Sequence, residues 1–455
     1  MIKKKMALLG LLGLLGLLVL SSCDVEMEYV NNDDSSTETR NENHSNDYID
    51  GEILLSDKEY IVPSDDNNSR SVNFINNTAK LNDFSGSISS SILKDQNDNN
   101  SSVSPLSIFM SLAMTSSISD GTTKNEILNT LNMTSDEIKT YVNSLLYYAK
   151  ENNNDYLNEL ISNSIWINSN INYKMDALTE LANYYGADSY SGEFETNNQQ
   201  ANENIKNYVR KNTKGVINKN FEFGTDTAFA IINSIYYHDC WSTVNTGLDY
   251  SSDTYTFTNI NNETKDINLL IGNYTEGRTV EKETYKAFYT KTYNDYSLTF
   301  VVPNDNYTIN DIFTSNVISY VNSTDFKKEI ADSTYNIESD TYYKTRCLFP
   351  SFRAGYDANI TDYLEELGIS DAFSEEADFS PLSDNNMKLS DVIHAAKIRV
   401  DAKGIEGAAV TTIYGDSASE PDETIYEDFV INKAFGYIIS DNNGIPLFTG
   451  KINII

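Results

Sequence analysis

Between Gly404 and Ile413 the chain reads GIEGAAVTTI, and few folds have room for such a stretch. It follows a strand-like run, MKLSDVIHAAKIRV (387–400). Gly404, Gly407, Ala408 and Ala409 are too small to build a core, while Val410, Thr411, Thr412 and Ile413 are too β-prone for a free linker. At period two, Ile405, Gly407, Ala409, Thr411, Ile413 and Gly415 share one apolar or small face. The other face holds Glu406, Ala408, Val410, Thr412, Tyr414 and Asp416, with both charges. A one-residue slip would bury those charges.

The rest of the chain narrows the context. Its 455 residues, 40% of them apolar, can bury a large core, and length alone predicts two or three domains. Against 67 acids stand 33 Lys and Arg, a net charge of −34. That field repels phosphate backbones and argues against a nucleic-acid partner.

The amino terminus, MIKKKMALLGLLGLLGLLVLSSC, has three lysines, an apolar run and small residues before Cys23. The apolar run is short for a membrane span, which takes roughly 20 residues. Residues 1–22 read as a signal peptide. LSSC (20–23) resembles a bacterial lipobox, which would place a lipid on Cys23 and anchor the protein to a membrane face. Residues 23–70, rich in Asn, Asp, Ser and Glu, read as a disordered, self-repelling tether. Cys240 and Cys347 remain, either paired or buried and free, and their spacing matches no zinc site.

From Ser71 the patterns become regular. Ser104 and Pro105 predict an N-cap and first helical residue, followed by an apolar face of Leu106, Phe109, Met110 and Ala113. Residues 155–220 read as mixed but largely helical. FAIINSIYYHDCW (229–241) and YSLTFVVP (296–303) read as buried strands, and FGYIISDNNGIPLFTGKINII (435–455) as two strands about an Asn-Asn-Gly turn. Helices early and strands late predict an α+β fold with a large sheet.

Catalytic motifs are absent: no G-x-S-x-G elbow, P-loop, H-E-x-x-H or dinucleotide fingerprint occurs. The histidines are His44, His238 and His394, and GDSAS (415–419) lacks the closing glycine of an elbow. The reading is a non-enzyme without cofactor or metal.

Seven blocks, in order, resemble the serpin family over nearly all of residues 71–455: SSVSPLSIFMSLAMTSSISDGTTKNEIL (101–128), NIKNYVRKNTKGVINKNFE (204–222), FAIINSIYYHDCW, YSLTFVVPND (296–305), FPSFRAGYDANITDYLEELGISDAF (349–373), MKLSDVIHAAKIRVDAKGIEGAAVTT (387–412) and AFGYIISDNNGIPLFTGKI (434–452). The resemblance implies one monomeric domain, with helices packed on a large central β-sheet, smaller sheets and an exposed reactive loop. It makes the opening stretch the part of a protease bait that enters the main sheet after cleavage. Gly404, Ile405, Glu406, Gly407, Ala408 and Ala409 then form the loop hinge. Ser104, Ser107, Asn233 and His394 match the family's polar shutter beneath the sheet, and Trp241 the aromatic at its top.

Family spacing puts the reactive bond between Ala418 and Ser419, which suits an elastase-like or subtilisin-like serine protease; cleavage after Tyr414 would suit a chymotrypsin-like one. Departures from the family pattern are Ala402 and Ser351, where a Glu–Lys pair often holds the loop base, and the bulky Ile405. The implied function is suicide inhibition of a serine protease at a bacterial surface. The alternative is a non-inhibitory surface protein of the same fold, acting in binding or adhesion.

Overall fold

The computed structural model describes residues 52–56, 61–96, 98–241, 247–390, 392–406 and 423–455. Their frame is a seven-stranded sheet whose strands, labelled in chain order, are β1 (Ile53–Leu55), β2 (Asn158–Asn168), β3 (Ala187–Gly192), β4 (Phe229–Cys240), β5 (Phe352–Asn359), β6 (Ile393–Val400) and β7 (Gly404–Ile405). Their spatial order is β1-β3-β2-β4-β7-β6-β5, with β2 and β3 parallel and the other neighbours antiparallel.

Local chemistry explains the elements that matter for the site. β6 alternates strictly: His394, Ala396, Ile398 and Val400 are buried, and the residues between them are partly exposed. Helix α1 (Val72–Lys94) is capped by Ser71, whose hydroxyl accepts the Phe74 N–H. Helix α2 (Pro105–Ser117) starts as the sequence predicts, with Ser104 as N-cap and proline at its first position. Helix α3 (Asn198–Asn212) packs on β4, and its Tyr208 hydroxyl donates to the Asn163 carbonyl on β2. The segment after α3 crosses the sheet, with Lys214 over the Tyr236 ring on β4 and Lys219 paired to Asp357 on β5.

Residues 155–220, read as largely helical, hold β2 and β3 as well as two helices. The folded body also reaches back into the stretch assigned to the tether. Ile53–Leu55 pairs with β3 at the sheet edge, and Ser56 Oγ donates to Asp188 Oδ1. Leu54 and Leu55 pack on the core, as an apolar island in a polar segment should.

A six-stranded sheet carries Ser297–Pro303 between Tyr285–Lys291 and Phe435–Ser440, followed by Pro446–Ile452. In a third sheet Thr424–Val430 runs parallel to Thr341–Phe349. Residues 407–422 therefore connect the main sheet to this third one. No described helix is long and apolar enough to cross a membrane.

Candidate functional site

The site centres on β7, which is only two residues long. Gly404 pairs with Cys240 and Ile405 with Asp239 on β4, while Ile405 also pairs with Val400 on β6. Ile405 is fully buried in the core. Position 404 admits only glycine, because a Cβ there would lie 2.3 Å from the Asp239 carbonyl oxygen.

The loop base is held without the family's Glu–Lys pair. Trp241, just past the end of β4, donates from Nε1 to the Asp401 carbonyl at 2.6 Å. The Leu248 N–H donates to the Ala402 carbonyl at 2.7 Å, and Asp401 N–H to the Gly404 carbonyl at 3.0 Å. Arg399 Nη2 lies 2.7 Å from Asp401 Oδ2. Ser351 turns elsewhere, sharing a hydrogen bond with the Tyr250 hydroxyl at 2.8 Å.

Below Ile405, β4 and β6 separate. No backbone pairing joins them among the described residues; each touches only β7 on that side. A cleft of about 470 Å³, solvent at its mouth included, occupies the gap. Ile232 and Asn233 on β4, His394 and Ala395 on β6, Ser107 on α2 and Val209 on α3 are among its walls.

Three of the four shutter candidates share one bonded network. The Ser104 N–H donates to His394 Nε2 at 3.1 Å, and Ser104 Oγ donates to the Leu447 carbonyl at 2.8 Å. Ser107 joins through its N–H, which donates to Ser104 Oγ at 3.3 Å. Asn233 lies across the cleft and bonds differently: its Nδ2 donates to Asn163 Oδ1 at 2.6 Å, and Asn163 donates in turn to the Tyr185 carbonyl. Asn233 Oδ1 is buried with no hydrogen-bond partner among the described residues. Burial, and then the nearby Lys219 charge, holds the His394 imidazole down at about 3, so it is neutral.

A second polar group lies next to the top of β4. Tyr296 donates to Glu159 Oε2 at 2.6 Å, and burial followed by the Asp441 charge pushes Glu159 up to about 8. Burial raises Asp239 and Asp441 to about 6. Asn294 Nδ2 donates to Asp239 Oδ1 at 2.7 Å. Cys240 and Cys347 are both buried, and no disulfide joins them to each other.

A family model described as Serpin (serine protease inhibitor) matches residues 79–454. The chain belongs to the serpin family. Members of this family generally inhibit serine proteases rather than catalyse reactions. Among curated relatives, an uncharacterized serpin-like protein of Methanosarcina mazei is 26% identical over 370 residues, covering 77% of this chain and 80% of its own. Alpha-1-antiproteinase of Rattus norvegicus is 23% identical, over 82% of this serpin and 88% of the rat protein. The thermophilic serpin tengpin in its native state superimposes with a TM-score of 0.71 at 25% identity, covering 89% of this chain and 100% of tengpin. Tengpin in its latent state superimposes with a lower TM-score, 0.64.

Gly407, Ala408, Ala409, Tyr414, the Ala418–Ser419 bond and Cys23 with the signal peptide lie outside the described residues. Four groups at this serpin's site carried no sequence signal: Asn163, His238, whose Nδ1 lies 2.6 Å from the Glu406 carbonyl, Asp239 and Asp401. Asn163 sat in a stretch read as helical, and the other three looked like polar residues at a strand end. Only the scarcity of histidine could have pointed to His238.

Proposed function

We propose that this serpin is a suicide inhibitor of an elastase-like or subtilisin-like serine protease, displayed on a bacterial surface by a lipid at Cys23. The observation that carries the reading is the slot between β4 and β6, with its hinge docked at the top and no described strand paired below. The protease serine oxygen attacks the Ala418 carbonyl carbon. The bond to Ser419 nitrogen breaks, and the new amine takes its proton from the protease histidine. The acyl-enzyme ester then tethers the protease to a free strand end.

That strand has somewhere to go. About a dozen inserted residues gain on the order of ten backbone hydrogen bonds, each worth roughly 1 kcal/mol net. Extended, they cover about 40 Å, enough to drag the protease away before water hydrolyses the ester. Continuing the register of Ile405 down the slot brings Thr411 opposite Asn233 and His394 together. Its hydroxyl would reach the Asn233 Oδ1 that has no partner among the described residues.

The test mixes the protein with pancreatic elastase, subtilisin and chymotrypsin in turn, followed by boiling in SDS. A covalent band at the summed masses, with a released peptide beginning at Ser419, is the expected result. Clean cleavage without a band for any of them makes the loop a plain substrate. The reading then passes to a binding or adhesion protein of the same fold.

A further inference from the structure

Glu406, the last described residue before the loop, has φ of +56° and is buried. Seven described non-glycine residues have positive φ, and five of them are Asn or Asp, whose short polar side chains tolerate that region. Lys214 follows the C-cap of α3, a place where left-handed residues commonly end helices. Glu406 has no such excuse, since it directly follows the last residue of β7.

Its hydrogen bonds show what the kink does. In an extended strand, the N–H and C=O of one residue point to the same neighbouring strand. The Glu406 N–H obeys, donating to the Arg399 carbonyl on β6 at 2.9 Å. Its carbonyl is turned the other way, where His238 Nδ1 of β4 lies 2.6 Å from it. A carbonyl oxygen only accepts, so Nδ1 carries the proton. For β7 to lengthen by one residue, that carbonyl must swing back towards β6 and leave the imidazole.

We propose that His238 and Glu406 form a latch that sets the rate of loop insertion. The two halves act in opposite senses. The imidazole bond holds the kinked form, while the left-handed backbone of a non-glycine residue strains it, by an amount that shifts an equilibrium roughly tenfold. Insertion breaks the bond and relieves the strain.

The proposal rests on the inhibitor reading for its use but is tested separately from it. The loop of the purified protein is nicked with a protease, and insertion is followed by Trp241 fluorescence and by the appearance of a heat-resistant form. This readout works whether or not an SDS-stable adduct forms, so a missing adduct counts against the inhibitor reading and not against the latch. His238→Ala is expected to insert at least about threefold faster and to drift spontaneously into an inserted, inactive form. Glu406→Gly, which adopts positive φ without strain, is expected to insert at least about threefold more slowly and to melt higher before cleavage. Should His238→Ala fold poorly, Glu406→Gly still decides. Two variants moving in the same direction, or Glu406→Gly inserting at the wild-type rate, would overturn the latch.

Discussion

Gly404 has no space for a side chain, because the peptide between Asp239 and Cys240 lies where one would be. Gly404→Val must therefore push the hinge out of the sheet. Destabilisation of about 1–3 kcal/mol in thermal unfolding is expected, with covalent adduct giving way to cleaved substrate on a gel. Trp241→Phe keeps the ring against Phe349 but loses the bond to Asp401, and about 1 kcal/mol of stability is the expected loss. At this scale the sequence was informative where a residue type is forced. Glycine at 404 and small residues after it announce a backbone passing close to another backbone. Asp239 and Asp401 act through their main chains as much as their side chains, and a carbonyl leaves no trace in the alphabet.

Among the elements, β4 and β6 were legible because both are apolar with β-branched or aromatic runs, and β6 alternates. β2 was not. Its sequence NELISNSIWIN buries Asn163, Ser164 and Asn168, which an apolar pattern would never place inside. Each makes a local bond: Asn163 donates to the Tyr185 carbonyl, Ser164 accepts from Trp166 Nε1, and Asn168 donates to the Thr227 carbonyl, although Asn168 Oδ1 has no partner among the described residues. Paired polar groups cost little to bury, so the strand tolerates them and hides its character. The register of β7 gives a prediction at this scale. Thr411→Arg would drive a charge against Asn233 and His394 as the strand enters. Covalent adduct should disappear, and the cleaved variant should melt no higher than the uncleaved variant.

For the molecule as a whole, the buried acids set how stability depends on pH. Glu159 keeps a proton in the folded state up to about pH 8, whereas the unfolded chain releases it near 4.5. Folded protein therefore binds the extra proton between those values, and stability falls as pH rises, by up to roughly 1.4 kcal/mol per unit. Asp239 and Asp441 steepen the same slope up to about 6. His394, neutral down to about 3, opposes it below 6.5, where the unfolded chain takes up a proton that the fold refuses. Between pH 6.5 and 8 Glu159 dominates, so Glu159→Gln should melt higher than wild type at pH 8 and show a flatter profile in calorimetry. None of this was visible in a chain with 67 acids, where no single carboxylate stands out before the fold buries it. The two buried cysteines, not bridged to each other, have one more consequence. Cys240 ends β4, which borders the slot, and burial holds the Cys347 thiol well above its ordinary value, away from the reactive thiolate. With no covalent bridge between the described cysteines, the sheet can widen without any electron changing hands. Loop insertion is therefore expected to run at the same rate with and without a reductant.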